Sequence, residues 1–379
     1  MKLTADWLQN PDVQALFRLL DDAGHSVHAV GGCVRNALLG VPVADIDFAS
    51  SAPPETVGAL AKAEGYRVLP TGIDHGTVTV LIGGSQFEVT TWRKDVATDG
   101  RRATIAYATR LKDDAARRDF TINALYVNAQ GAVLDPVGGL ADIAAKRLRF
   151  IGNPAARIAE DYLRSLRFFR FFAWYGEGVP DAAALAAIAA AVPGLAGLSA
   201  ERVGAEMARL LAAPDPVAAL DLMAQTGVLG ALLAGAACDV LGALMQVEQA
   251  ENEPPAWLRR LAALGNKAGW AERLRLSKAD AKHLAAITSA ATAQSLAVAA
   301  QEFGAPVARD AALLEAARGA GLPPDWRAEI ARGAAAVFPL RAADFPQHAG
   351  PALGAALKAA RARWLASDLR ASKAALLAG

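Results

Sequence analysis

Residues 30–50 read VGGCVRNALLGVPVADIDFAS, and this stretch decides the fold. A short strand-like run, His28 to Val30, enters Gly31-Gly32, and the VRNALLG that follows has helical character. Glycines at a strand-to-helix turn let backbone amides approach a phosphate closely, and a helix start favours an anion. Arg35, in the first helical turn, is placed to pair with that anion. A purely structural turn would read the same way, so the aspartates that follow carry the decision. Asp45 and Asp47 alternate on an expected strand and point their carboxylates to one face. Two like charges that close repel unless a cation holds them. Mg²⁺ takes one or two carboxylates and keeps its other positions for water and phosphate. Paired metal ions held in this way activate a hydroxyl and neutralise a leaving pyrophosphate. A D-x-D pair alone suits a solvated strand edge equally well. Ten residues after G-G-x-V-R, it reads as a metal site. Glu88, in QFEVTTW, is either a third catalytic carboxylate on a neighbouring strand or a strand-face residue paired with an arginine.

Working outward, short β-rich runs punctuated by glycine (SVHAVGG, GTVTVLIGG, QFEVTTW, INALYVNAQGAVLDPVGG) continue to about Phe150, with helical stretches between them. From about Pro154 the chain reads as helical, with breaks at VPG (192–194), APDP (213–216), NEPP (252–255), LPP (322–324) and FPQ (345–347). The expected class is α+β. A mixed-sheet head with flanking helices covers 1–150, a helical neck 151–200, and a helical body and tail 201–379.

Composition narrows the function from the other side. The 379 residues are 54% hydrophobic, but alanine supplies much of this in the second half. No segment has the ~20 strongly apolar residues of a spanning helix. The opening MKLTADWLQNPDVQ carries acids and lacks the apolar core of a signal peptide. Cys33 and Cys238 cannot build a disulfide framework, which fits a cytoplasmic setting. The 39 basic against 38 acidic residues give a net charge of +1, which by itself argues against a polyanion ligand.

The motifs argue the other way. GGCVRNALLGVPVADIDF, PTGIDHGTVTV (70–80), FEVTTWRKDVATDGRRA (87–103), RRDFTINALYVN (117–128), DPVGGLADI (135–143) and RFIGNPAARIAEDYLRSLRFFRF (149–171) follow one another in order. Together they resemble the class II tRNA nucleotidyltransferases, or CCA-adding enzymes, within the family that also holds bacterial poly(A) polymerases. Asn36 departs from the Asp that many members carry there, and the change bears on how Arg35 is held. The resemblance implies Asp45 and Asp47 as ligands of Mg²⁺, with Gly32 and Arg35 at the triphosphate. It also implies Arg118 in nucleotide binding and Asp119 and Asn123 holding the ribose or loop geometry. Arg93 to about Thr109 resembles a loop needed for the last A addition, although any surface loop would be equally polar. None of the five histidines is followed by Asp, so the H-D hydrolase domain appended in some relatives is not expected. His75, in an I-D-H-G-T turn, reads as structural.

RIAEDYLRSLRFFRFF is expected to place Glu160, Asp161, Arg164, Arg167 and Arg170 on one helix. An isolated D-x-x-R is usually an ion pair beside a core stripe. Cytosine and adenine, however, share an exocyclic amine beside a ring-nitrogen acceptor. A carboxylate accepts from the first and a guanidinium donates to the second, whereas guanine and uracil turn a carbonyl towards the carboxylate. Asp161 and Arg164 therefore suit CTP and ATP, and in the family this helix selects the base. Arg167 and Arg170 are expected on the phosphates or bracing the pair.

Local charge then supplies the surface for RNA. Trp257 to His283 holds seven basic residues (Arg259, Arg260, Lys267, Arg273, Arg275, Lys278, Lys282) against two acids. Lys358 to Lys373 holds five (Lys358, Arg361, Arg363, Arg370, Lys373) against one. Solvated helix faces look alike, but with such a head these clusters suit the phosphates of a tRNA acceptor and T-arm. No membrane and no obligate protein partner is expected. The leading expectation is CCA addition from CTP and ATP. Its rivals are a poly(A) polymerase, a CC- or A-only enzyme, and a non-catalytic RNA-binding protein on the same scaffold.

Overall fold

A computed structural model describes residues 1–99 and 102–378, with the side chains of all but 74 and 95–105 among them. Its head is one seven-stranded mixed sheet. The strands are β1 (Val27–Val30), β2 (Asp47–Ser50), β3 (Arg67–Leu69), β4 (Thr77–Ile82) and β5 (Ser85–Thr91), with β8 (Tyr126–Val127) and β9 (Val133–Leu134), in the order β3-β4-β5-β2-β1-β8-β9. β2 and β5 form its parallel pair, and every other neighbouring pair is antiparallel. β6 (Arg93–Asp99) and β7 (Arg102–Tyr107) form a separate antiparallel ribbon. The segment expected as a polar loop is thus largely paired, and its residues 100 and 101 lie outside the described ones.

Strand alternation gives the sheet two unlike faces. Val27, Ala29, Phe48, Val78, Val80, Ile82, Phe87 and Val89 point to one, against α1 (Pro11–Asp21) and α3 (Pro54–Ala63). Both helices carry proline at the start, where its missing N–H is harmless, and Asn10 caps the first by accepting from the Asp12 amide at 2.8 Å. Val13, Leu16, Phe17 and Leu20 recur at helical spacing and are buried. Phe17 meets Phe48 edge-on at 5.2 Å, and Phe48 meets Phe87 at 5.6 Å. The residues between, Asp47, Ala49, Glu88 and Trp92, face the other way. That face is covered only in part, by Ala108, Ala115, Ala124 and Ile151. One well-filled layer leaves the opposite face available for polar groups.

α2 (Gly32–Leu38), α4 (Leu111–Ala116) and α5 (Gly139–Ala144) complete the head. Beyond it every described element is helical. α6 (Pro154–Glu160), α7 (Leu163–Tyr175), α8 (Ala182–Ala190), α9 (Ala200–Leu211), α10 (Val217–Gln225), α11 (Val228–Leu232) and α12 (Leu241–Ala250) come first. They are followed by α13 (Trp257–Leu264), α14 (Trp270–Arg273), α15 (Lys278–Ala291), α16 (Leu296–Phe303), α17 (Ala305–Glu315), α18 (Trp326–Ala335), α19 (Gly350–Ala366) and α20 (Lys373–Ala378). The chain divides into two compact units, residues 1–198 with 225–228, and 199–224 with 229–379. Helices α6 to α8, expected as a neck in its own right, therefore belong to the unit of the head. The reason is aromatic. Phe168 and Phe171 of α7 meet Phe120 at 6.2 and 5.4 Å, and Phe120 meets Phe150 at 4.7 Å.

In the second unit, helices approach closely where a side chain is missing. A Cβ on Gly204 would fall 1.9 Å from the Leu274 carbonyl oxygen. A separate apolar cluster around Leu340, Phe345, Ala360, Trp364 and Leu376 closes the tail. Among the described residues no helix is long and apolar enough to cross a membrane.

Candidate active site

Register brings the chemistry to one point. Val30 is paired with Asp47 across β1 and β2, and Asp47 with Glu88 across the parallel pair. The Gly31-Gly32 turn leaves the end of β1 beside both carboxylates. Asp45 precedes β2 and does not alternate on it, which corrects the expected strand. Its charge is nonetheless felt. Asp47 titrates above the usual carboxylate range because of burial first, then Glu88 and, more weakly, Asp45, while Arg118 opposes the rise. Arg118 acts on Asp47 through space, and Glu88 stands as the register partner of Asp47, so that their like charges face each other. Among the described residues there is no group of three metal-ligating side chains close enough to form a ready-made cage. Two or three acidic oxygens with open positions around them suit Mg²⁺, which keeps water and phosphate as ligands. Cys33, whose thiol is pushed up to about 12 by burial and by Asp47, is inert.

Gly31 caps α2 with φ 78°, a conformation that costs side-chain-bearing residues energy. A Cβ there would stand 3.5 Å from the Asn123 carbonyl and 3.6 Å from Arg118 Nη1. Arg118 thus presents one end of its guanidinium to the turn. Its other nitrogens are held by Asp114, at 3.1 and 3.3 Å, and by the Tyr126 hydroxyl at 3.1 Å. Burial would raise the Asp114 carboxyl, but Arg118 and Arg117 outweigh it and hold the group low.

Arg35 departs from expectation. It is not a surface contact for a triphosphate: only 6% of it is exposed, and it lies beneath the turn. Nε and Nη2 donate to Asn36 Oδ1 at 3.1 and 2.8 Å, Nη2 also to the Tyr175 hydroxyl at 2.9 Å, and Nη1 to Asn123 Oδ1. Asn123 in turn donates to Asp119 at 3.1 Å, and Asp119 accepts from Arg167 Nε at 2.7 Å. Burial opposes ionisation of Asp119, yet Arg167 and these hydrogen bonds keep it low. Asp119, Asn123 and Arg167 are therefore a brace from α7 to the glycine turn. Arg170 stacks on Phe171 at 4.1 Å.

The residues expected to read the base are not on one continuous helix. α6 ends at Glu160, Asp161 is extended (φ −159°, ψ 107°), and α7 begins at Leu163. Asp161 ends α6 and accepts from the Leu163 amide at 3.1 Å across the break. Arg164 pairs with Glu160, and the same Nη1 donates to the Arg157 carbonyl at 3.0 Å. The break sets Asp161 and Arg164 at the start of α7 rather than along a smooth face.

The expected RNA patch needs a larger correction. Arg259 and Arg260 are each 2% exposed. Arg259 pairs with Glu248 and with Asp310, at 2.7 and 2.9 Å, and Arg260 with Glu248 at 2.8 Å. His283 adds a 2.7 Å contact to Asp310. The two arginines hold helices α12, α13 and α17 together and are not available to a polyanion. Lys267, Arg275, Lys358, Arg361 and Arg363 are exposed and Arg273 is half-buried. Arg275 lies 3.3 Å from Glu201, and Arg363 donates to the Leu376 carbonyl at 2.7 Å.

Residues 27–149 match the model of the poly A polymerase head domain, and 180–238 that of the probable RNA and SrmB-binding site of polymerase A. The CCA-adding enzyme of Geobacillus thermodenitrificans is 38% identical over 260 residues, 68% of this chain and 59% of that one. The chain belongs to the CCA-adding enzyme and poly(A) polymerase family. The human mitochondrial CCA tRNA nucleotidyltransferase 1 is 40% identical over 215 residues, 54% of this chain and 50% of that one. The chain thus spans about half the length of the curated relatives it matches. The Bacillus stearothermophilus CCA-adding enzyme, solved with CTP, superposes with a TM-score of 0.80 at 28% identity, covering 99% of this chain and 97% of that one. The mixed sheet followed by helices is the fold of that family.

Tyr175, Asp114 and Tyr126 hold the site together and went unread. Asp114 was within reach, because D-A-A-R-R sets it three and four residues before Arg117 and Arg118. Nothing local announces Tyr175.

Proposed function

We propose that the protein is a CCA tRNA nucleotidyltransferase, adding C, C and A to the 3′ end of tRNA from CTP and ATP with release of pyrophosphate. The observation that carries this reading is the set of carboxylates, Asp45, Asp47 and Glu88, beside a glycine turn, where Asp47 feels the like charges of the other two. Asp45 and Asp47 would hold Mg²⁺, which when bound polarises phosphoryl oxygens and favours ionisation of the attacking 3′-hydroxyl. Glu88, facing Asp47, adds negative charge that strengthens cation binding. Gly32 leaves room for the triphosphate against the backbone. The end of Arg118 beside Gly31 neutralises phosphate charge, with Arg35 and Arg170 adding positive field from behind.

At the start of α7, Asp161 accepts from the amine shared by cytosine and adenine. Arg164 donates to the adjoining ring nitrogen, its Nη1 being anchored by Glu160. Rejection of UTP and GTP follows, because they would set a carbonyl oxygen against the carboxylate where cytosine and adenine set an amine. Lys267, Arg273, Arg275, Lys358, Arg361 and Arg363 supply phosphate contacts for the acceptor and T-arm. The CTP-bound relative, superposing over nearly the whole chain, supports the nucleotide assignment.

The test is incubation of tRNA transcripts ending before CCA, or after CC, with Mg²⁺ and each labelled nucleotide. Two C followed by one A is expected. Unlimited A addition to unrelated RNA, addition of C alone, or no addition would overturn the reading.

A further inference from the structure

Arg35 is a buried cation without a carboxylate partner. Among the described residues no acidic group lies within ion-pair distance of it, whereas every other deeply buried arginine here, Arg259 and Arg260, has one. An unpaired buried charge is costly unless hydrogen bonds replace water around it. The replacements are neutral: Asn36 Oδ1, Asn123 Oδ1 and the Tyr175 hydroxyl. Asn36 Oδ1 also lies 3.3 Å from the Tyr175 hydroxyl, so Arg35, Asn36 and Tyr175 close a triangle. The Tyr175 ring lies over the guanidinium with its centroid 4.1 Å from the central carbon, a cation–π contact. Asn36 is fixed from behind, donating to the Pro42 carbonyl at 3.0 Å.

A carboxylate in this place would cancel the charge. A phenol and amides hold the guanidinium in position, and the carboxylate that acts on it, Asp119, does so from beyond Asn123 rather than by an ion pair. The nearest outlet for that charge is the Gly31-Gly32 turn, where a Cβ on Gly32 would lie 3.8 Å from Arg35 Nη2. We propose that Tyr175 is a positioning residue, holding Arg35 beneath the glycine turn so that its charge serves the triphosphate of the incoming nucleotide. This rests on the nucleotidyltransferase reading above. Tyr175 reaches the nucleotide only through Arg35 and never touches a reacting atom.

The proposal is tested by a double-mutant cycle on the whole chain, read as CTP affinity at equilibrium with Mg²⁺ and without tRNA. Tyr175→Phe removes the hydroxyl and keeps the ring. Losing a hydrogen bond to a charged group is expected to weaken CTP binding about tenfold. Asn36→Asp puts a carboxylate against the same nitrogens and takes over the anchoring. In that background Tyr175→Phe is expected to cost less than about twofold, a non-additivity that contact between the pair requires. A merely structural tyrosine would lower the melting temperature equally in both backgrounds and leave the affinity of the folded protein alone. Equal affinity losses in the two backgrounds, no loss in either, or no CTP binding by the unsubstituted chain would overturn the proposal. Addition of C and A to tRNA is scored separately. If addition fails while the cycle shows coupling, the assigned activity falls alone. If addition succeeds and the cycle shows none, the role of Tyr175 falls alone.

Discussion

The head and the helical body each bring acidic side chains together, and they treat them in opposite ways. In the body, Glu248 and Asp310 are buried among Arg259, Arg260 and His283, and their charge is met on the spot. In the head, Asp47 and Glu88 are register partners on a parallel pair, and Asp47 is pushed up by burial first and by the like charge of Glu88 second, with Arg118 opposing the rise. Paired carboxylates there fasten helices to one another. Those on the open face of a filled sheet would, under the proposed function, receive a cation, and their mutual repulsion would be the cost of a site completed by its ligand.

The largest effect that would break this comparison is on catalysis. Asp47→Ala is expected to lower nucleotide addition by at least about a thousandfold, the scale of losing a catalytic charge, while tRNA affinity stays within about twofold. Loss of tRNA binding in that variant would refute the metal-ligand assignment. In the body, Arg260→Ala leaves Glu248 half-paired and two carbonyls unsatisfied, and is expected to destabilise the unit by about 3–5 kcal/mol, read by denaturant unfolding. A loss under about 1 kcal/mol would mean that the buried network is not what holds α12 to α13.

Next in size is base selection. Asp161→Ala should erode rejection of UTP and GTP by about tenfold to a hundredfold, because a carboxylate set against their carbonyl oxygens is what penalises them. Unchanged rejection in single-nucleotide addition assays would count against the template. A pH effect follows from His28, whose Nδ1 is buried without a partner and whose imidazole is held down to about 4 by burial. The unfolded chain takes up a proton near pH 6.5 that the native state refuses, so stability present at pH 7 declines as pH falls from about 6.5 towards 4, by up to about 3 kcal/mol. The low-lying carboxylates Asp114 and Asp119 lose their contribution only at lower pH still. Urea midpoints at pH 7 and pH 4.5 measure this, and His28→Phe should shrink the difference. The smallest effect is at the surface. Lys358→Ala with Arg361→Ala should weaken tRNA binding a few-fold and reduce its salt dependence by about one to two in log–log slope.

What the sequence disclosed follows the reach of each interaction. The glycine turn, the D-x-D segment and the order of strands were legible because alternation and turn chemistry act over a few neighbours. The break at Asp161 had a local signal, an acidic residue shortly before LRSLRFF, but helical periodicity on both sides masked it. The burial of Arg259 and Arg260 was not legible from charge within 257–283, because Glu248 and Asp310 lie outside that window. Their setting in WLRRLAAL, apolar on both sides, was the available hint. Arg35 looked like a phosphate contact for a similar reason, since its clamp comes partly from Tyr175, far along the chain. Charge counting locates an arginine without revealing what it faces.

One measurement tests the opposition between the two regions most directly: the melting temperatures of Asp47→Asn and Asp310→Asn, each without and with Mg²⁺ and CTP. Asp47→Asn, relieved of repulsion, is predicted to melt at or above the unsubstituted protein and to lose the increment that Mg²⁺ and CTP provide. Asp310→Asn is predicted to melt lower and to keep that increment. A lower melting temperature for Asp47→Asn, or a ligand increment that survives in it, would contradict the account.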